Sequence, residues 1–275
     1  MQNQDYPNRH LPERAGYFPV SGAHLCTVLH AVENPVAQVL LVGPFASERH
    51  SSYLPWVRWA RYLAAADIEV LRYDYRGIGE STGAFEELTF TDWQEDVRLL
   101  ATWFQDRSPN VPMVLHGLGL GAVLAGKAFD EGIGQGLLMW SPFPDANKAL
   151  RSTLLRWVGL EQIFKFVDDR QSASDYIRDL ERGSSLEVDG YRWSPALWRD
   201  SFNFTLPVAL ASEEQAAHAY RRPVKIVKLT RDAAPLAKGG VVGYDDLKDF
   251  GWLYAPNRDW IAALSAQSTR GVAYA

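Results

Sequence analysis

His116-Gly117-Leu118-Gly119-Leu120-Gly121-Ala122 sets three alternate glycines between an apolar run, Val111-Pro112-Met113-Val114-Leu115, and an alanine-rich segment, Ala122-Val123-Leu124-Ala125-Gly126-Lys127-Ala128-Phe129. A short apolar run, glycine punctuation and a longer apolar stretch read as buried strand, sharp turn and helix. In such a frame, a G-x-S-x-G turn exposes a serine hydroxyl at the end of a parallel sheet. Here the pattern is G-x-G-x-G, and Gly119 has no hydroxyl, thiol or carboxylate, so covalent catalysis cannot start from this position. The fold loses nothing by the change. The central residue of such a turn holds a strained backbone that glycine adopts freely, a relief of about 1 kcal/mol.

Working outward, strand-like and helix-like segments alternate as in a mostly parallel sheet covered on both faces. Residues 36–42 form a buried-strand run ending in Gly43-Pro44. Tyr53, Trp56, Val57, Ala60, Leu63 and Ala64 then recur at helical spacing, with Pro55 expected in the first turn. Residues 68–73 read as the next strand, and 74–82 as a glycine-rich loop at its carboxyl end. A helix is expected from Thr91, with a Thr91/Gln94 capping box, burying Trp93, Val97, Leu100, Ala101 and Phe104. Residues 136–140 supply another strand, closed by Ser141-Pro142-Phe143-Pro144.

From about 146 to 222 the pattern turns helical and loop-like, with Trp157, Trp193, Trp198 and Phe202 scattered among charged residues. This segment is expected to be a helical lid inserted into a core made of 1–145 and 223–275. Pro223-Val224-Lys225-Ile226-Val227-Lys228-Leu229 restores a strand, ending in the turn Thr230-Arg231-Asp232-Ala233-Ala234-Pro235. A weak strand near 241–244 and a helix over about 258–266 complete the chain. No repeat or low-complexity linker interrupts it.

The composition sets limits on function. The chain has 275 residues, is 47% hydrophobic and carries a net charge of -5 with no lysine- or arginine-rich tract, which argues for one large core and against a nucleic-acid surface. Cys26 is the single cysteine, so an internal disulfide and a cysteine-based metal cluster are excluded; it reads as a small buried residue. The six histidines have no H-x-x-x-H or H-x-H spacing, and the glycine-rich turns lack both G-x-G-x-x-G and G-K-[ST]. No metal, dinucleotide or other cofactor is expected. The amino terminus has no basic and apolar leader, and no run approaches a membrane span; the expectation is a cytoplasmic protein.

Four groups of residues together resemble the α/β-hydrolase superfamily, on its serine-aminopeptidase-like and lysophospholipase-like branch. They are Gly43-Pro44-Phe45, Asp74-Tyr75-Arg76-Gly77-Ile78-Gly79-Glu80-Ser81, the turn around Gly119, and Asp232 with Pro235. Gly43-Pro44-Phe45-Ala46-Ser47-Glu48-Arg49-His50 and Gly190-Tyr191-Arg192-Trp193-Ser194-Pro195 look more specifically like hydrolase-like proteins of bacterial exosortase systems. The resemblance implies an α/β-hydrolase fold with Gly119 at the nucleophile position, now vacant, and Asp232 at the acid position. It also implies a pair of oxyanion donors from the backbone N–H groups of Phe45 and Leu120. The triad histidine has no counterpart: the last histidine, His218, precedes the strand that carries Asp232, and Asp249-Phe250-Gly251-Trp252-Leu253-Tyr254 falls where the histidine loop belongs.

The other polar residues each have a structural reading and a functional one. His116 is either a buried, hydrogen-bonded histidine or a pocket residue. His50 and Ser51 have a functional reading at a pocket mouth, against helix capping by Ser51 or Ser52. Ser81 and Ser141 read as turn residues, Asp232 equally as a turn or cap, and His218 as solvated. Three functions remain open. The first is a catalytically degenerate protein binding a small-molecule ligand or partner protein under a tryptophan-rich lid. The second is a hydrolase or acyl-transfer enzyme using water activated by Asp232 or His116. The third is a structural subunit docking through the lid.

Overall fold

The structure is a computed structural model that describes residues 12–164, 171–229 and 251–272. Seven strands form one sheet in the order β1-β2-β4-β3-β5-β6-β9. They are β1 (Glu13–Val20), β2 (Ala23–His30), β3 (Ala37–Val42), β4 (Ile68–Tyr73), β5 (Met113–Leu118), β6 (Gly136–Trp140) and β9 (Val224–Val227). The β1/β2 and β2/β4 pairs are antiparallel, and every pair from β4 to β9 is parallel. Parallel neighbours need helical crossovers that cover both faces, so the central strands are mainly apolar on both faces, with Gln38, Glu69, Arg72 and His116 the exceptions in β3 to β6.

Alternation reappears in which helices each residue meets. Leu40 and Val42 of β3, with Met113 and Leu115 of β5, pack in a cluster with α2 (Phe90–Arg107) and α3 (Leu120–Asp130). Val39 and Leu41, with Val114, pack on the opposite side with α1 (Ala46–Ala64) and α8 (Gly251–Val272).

Three helix starts differ from the sequence reading. α1 begins at Ala46, so Pro55 lies inside the helix; the apolar face of Trp56, Trp59, Ala60 and Leu63 against the sheet outweighs its missing N–H. The cap of α2 is Thr89, in a capping box with Asp92, whereas Gln94 is buried on the core face. Thr91 instead reaches out, its N–H donating to the Asp200 carboxylate at 2.9 Å. The last helix starts seven residues before the expected 258. The expected strand near 241–244 lies outside the described residues.

The segment between β6 and β9 holds α4 (Ala146–Phe164), α5 (Ala173–Glu181), the hairpin β7 (Leu186–Val188) and β8 (Tyr191–Trp193), α6 (Pro195–Asp200) and α7 (Glu213–Ala219). It is helical with a hairpin. Its tryptophans serve the core: Trp193 and Trp198 are each 1% exposed and join Leu150, Leu154 and Leu197 in the cluster that contains α2 and α3. Asn147 and Ser201 add a buried side-chain hydrogen bond of 2.8 Å within the segment.

Candidate functional site

β5 carries the chain to Gly119, and α3 starts at the next residue. Gly119 has φ 59° and ψ -120°, a conformation that residues with a Cβ rarely hold. Its N–H donates to the Trp140 carbonyl at 2.9 Å, which ties the turn to β6. Gly121 serves close packing: a Cβ there would lie 2.2 Å from the Gly43 carbonyl oxygen, so only glycine lets α3 approach the end of β3.

Neighbouring strands β3 and β5 thus each run into a helix at the same edge of the sheet. Phe45 is the N-cap of α1, and Leu120 is the first residue of α3. First-turn N–H groups have no partner within their helix and stand at the positive end of its dipole. The side chains of both residues are buried in the α2/α3 cluster, where Phe45 meets Phe85, Phe90 and Trp93. What they offer a ligand is therefore backbone.

The side chain that meets Gly119 comes from the first turn of α1. A Cβ on residue 119 would stand 3.1 Å from Glu48 Oε2 and 3.7 Å from the Phe143 ring, so a carboxyl group occupies the neighbourhood of the missing hydroxyl. Glu48 is a half-buried residue, and burial pushes its carboxyl above the usual carboxylate range while the Arg156 guanidinium pulls it down. Arg156, on α4, also lies 3.5 Å from Asp189. Sequence reasoning missed Glu48 because nothing in the chain's order brings α1 to the β5 turn. The available signal was an acidic residue in the first turn of a helix that begins just after Gly43-Pro44-Phe45.

The Asp74-Tyr75-Arg76-Gly77 loop holds this turn in place. Asp74 binds Arg49 through two hydrogen bonds of 2.9 and 2.8 Å, fixing the residue next to Glu48, and also accepts the Glu80 N–H at 3.1 Å. The Tyr75 hydroxyl donates to the Gly43 carbonyl at 2.8 Å. Ser81 donates to the Asp74 carbonyl and accepts from the Cys26 N–H, which makes it a turn residue. Arg76 turns inward to Asp96 at 2.7 Å and Glu95 at 2.9 Å. Cys26 is half-buried at the edge of this loop, and burial raises its thiol.

The structure gives His116 the buried reading. The ring is fully buried on the α1/α8 side of the sheet among Trp56, Trp59 and Trp140, so it does not face the Gly119 turn and is removed as a pocket residue. β5 alternation is the reason, because residue 116 shares its face with Val114. Nδ1–H donates to the Leu138 carbonyl at 3.1 Å, which leaves Nε2 as the bare nitrogen, and burial lowers the imidazole pKa to about 3.

Ser52 bonds back to the Glu48 carbonyl within α1 and caps nothing; His50 is exposed on the same helix. Ser141 accepts the Leu229 N–H at 2.8 Å, a structural role, and His218 is exposed in the last turn of α7. Asp232 lies outside the described residues. Of the stretch expected to replace the histidine loop, Leu253 and Tyr254 are buried in α8, and the Tyr254 hydroxyl donates to the Pro55 carbonyl. Among the described residues no three His, Cys, Asp or Glu side chains stand together as metal ligands, and no helix is long and apolar enough to cross a membrane.

The serine aminopeptidase S33 family model matches residues 33–167, the stretch that contains β3, the Asp74 loop and the Gly119 turn. Three solved structures share the fold at low identity. Monoglyceride lipase from Saccharomyces cerevisiae is 12% identical over 94% of this chain and 99% of its own, with a TM-score of 0.57. Mouse alpha/beta hydrolase domain-containing protein 10 is 14% identical over 91% and 99%, with a TM-score of 0.56. Est1E from Butyrivibrio proteoclasticus, determined with ferulic acid bound, is 17% identical over 78% and 89%, with a TM-score of 0.53. A search of curated proteins finds no match. Sheet order and turn geometry, with the likeness to these structures, give the chain an α/β-hydrolase fold, and the stretch that matches the serine aminopeptidase S33 model is just under half of it.

Proposed function

We propose that this α/β-hydrolase-fold protein does not cleave its ligand through the elbow and instead binds a small molecule or partner-protein segment there, beneath the 146–222 insertion acting as a lid. The observation that carries this reading is Gly119 itself: it keeps the backbone of an elbow, at φ 59° and ψ -120°, without an atom that can attack. The sequence has no histidine after β9 to move a proton, so two parts of a serine mechanism are absent at separate places in the chain. Backbone donors at the starts of α1 and α3 do not depend on side chains, and they support recognition of a carbonyl without reaction.

Glu48 favours one second reading, hydrolysis by water that this carboxylate activates. Purified protein incubated with short- and medium-chain p-nitrophenyl esters separates the two, with Glu48→Gln and Asp232→Asn as controls. The binding reading expects the parent rate to equal both variants at the buffer background. Turnover that either substitution abolishes would replace it with an enzyme.

A further inference from the structure

At the carboxyl end of β4, between that strand and α1, lies a small hollow lined in part by Pro44, Arg49, Tyr53, Trp56, Arg72 and Asp74. Alternation along β4 puts Arg72 on the same face as Ile68 and Val70, which pack with α1, while Leu71 and Tyr73 join the α2/α3 cluster. The hollow has about 30 Å³ of space for water-sized groups, above the roughly 10–15 Å³ that one water needs. Glu48 and Phe143, which stand next to Gly119, do not line it.

Neutral partners orient Arg72 here. Its Nε–H donates to His30 Nε2 at 3.2 Å, and its Nη1 donates to the Tyr53 hydroxyl at 3.4 Å. His30 is 1% exposed, and burial lowers its pKa to about 4, so at neutral pH the imidazole is an uncharged acceptor. The other ring nitrogen faces Glu13 at 3.8 Å, and that carboxylate is bound by Arg61. Among the described residues no carboxylate stands within ion-pair distance of Arg72, and its Nη2 has no partner. Arg49 uses Nε and Nη2 on Asp74, which leaves its Nη1 without a partner among the same residues. Both guanidinium groups lie near the Tyr53 ring, 4.8 Å from its centroid for Arg49 and 5.7 Å for Arg72.

We propose that this hollow is a binding site for a small oxyanion, a phosphoryl or carboxylate group held by Arg72 with Arg49 and Tyr53. A guanidinium fixed by a neutral imidazole and a phenol keeps its charge and presents its remaining N–H donors in one plane, which suits either group. Asp74 is the acid on the wall. Both of its oxygens accept from Arg49, and one also accepts the Glu80 N–H, so its repulsion of an anion is offset by its own partners. A bound anion would bridge β4 to the first two turns of α1. The site does not depend on the reading of the Gly119 turn.

The test titrates the full chain with inorganic phosphate and, separately, with acetate at pH 7.5, with ionic strength held constant by sodium chloride. Binding is read from the arginine Nε–H signals by NMR. Parent protein is expected to show a saturable shift of the Arg72 signal, and the anion that binds more tightly names the group. Arg72→Gln removes a charge-assisted contact and should weaken binding, read at the Arg49 signal, by at least about tenfold. Tyr53→Phe keeps the ring, loses the hydroxyl and should weaken binding about two- to tenfold. Circular dichroism and the urea midpoint show whether each variant is folded, and if Arg72→Gln does not fold, Tyr53→Phe decides. Failure of both anions to move the Arg72 signal overturns the proposal. So does an affinity in the deciding variant equal to the parent's.

Discussion

Replacing His116 tests how the sheet tolerates a basic group in its core. The ring is fully buried, its hydrogen-bond partner among the described residues is the Leu138 carbonyl, and its pKa is lowered from 6.5 to about 3. The folded value lies below the unfolded one, so the unfolded chain takes up a proton first as pH falls. The neutral ring's stability is fully present above about pH 6.5, is lost on acidification, and the loss levels off near pH 3. At pH 5 the loss spans roughly 1.5 units at 1.36 kcal/mol per unit, or about 2 kcal/mol relative to pH 7.5. His30, lowered to about 4 by burial, adds a loss of the same sign that the variant retains. Urea unfolding followed by tryptophan fluorescence at pH 7.5, 6.5 and 5 gives the comparison for parent and His116→Leu, with His116→Gln as a second variant. Lost packing and hydrogen bonding lower the variant's stability equally at every pH. Its decline between pH 7.5 and pH 5 should be smaller than the parent's by about 2 kcal/mol. Equal declines in parent and both variants would refute the buried, uncharged assignment.

Gly119→Ala should destabilise by about 1–3 kcal/mol, from positive φ and from crowding Glu48 Oε2, and Glu48→Ala in the same chain should recover part of that in urea unfolding. Gly121→Ala should cost more, about 3 kcal/mol or above, because its Cβ meets the Gly43 backbone, which cannot swing aside; comparing the two midpoints checks this. Arg76→Ala leaves Asp96, 0% exposed, without its cation and should cost about 3–5 kcal/mol, with the loss reduced when Asp96→Asn is added. Gly119→Ser restores a hydroxyl but no histidine, and its rate on p-nitrophenyl esters is expected to stay at the parent's level.

The fold was legible because its two signals are local. The glycine turn after residues 111–115 and the Asp74-Tyr75-Arg76-Gly77 loop each mark the carboxyl end of a strand; β3, β4 and β6 fall within a residue of where apolar runs place them, and β5 is shifted toward the glycine turn, to Met113–Leu118. Cap chemistry was harder to place. Thr89/Asp92 and Thr91/Gln94 both have the spacing of a capping box, and the difference lies in Gln94, which the core claims, and Thr91, which Asp200 claims across the fold. Helix starts were read late in α1 and α8 because Pro55 and Pro256, a residue type that normally stands at a helix start, lie inside these helices. At the site, the vacant position was visible and its neighbour was not. Glu48 and Gly119 meet only because β3 and β5 pair side by side, a relation that order along the chain does not contain.

The burial of Trp193 and Trp198 limits how far the 146–222 insertion can move. Each such ring removes about 150–250 Å² from water, about 4–6 kcal/mol at 25 cal/mol per Å². Swinging the insertion away from α2 and α3 would expose both, roughly 10 kcal/mol, which is comparable to the whole stability of a typical domain. The insertion is therefore held against the helices it packs on, and motion near the Gly119 turn is confined to small excursions of the surrounding loops and side chains. A ligand of the kind proposed above would enter and leave only through such narrow openings, which would set its residence time.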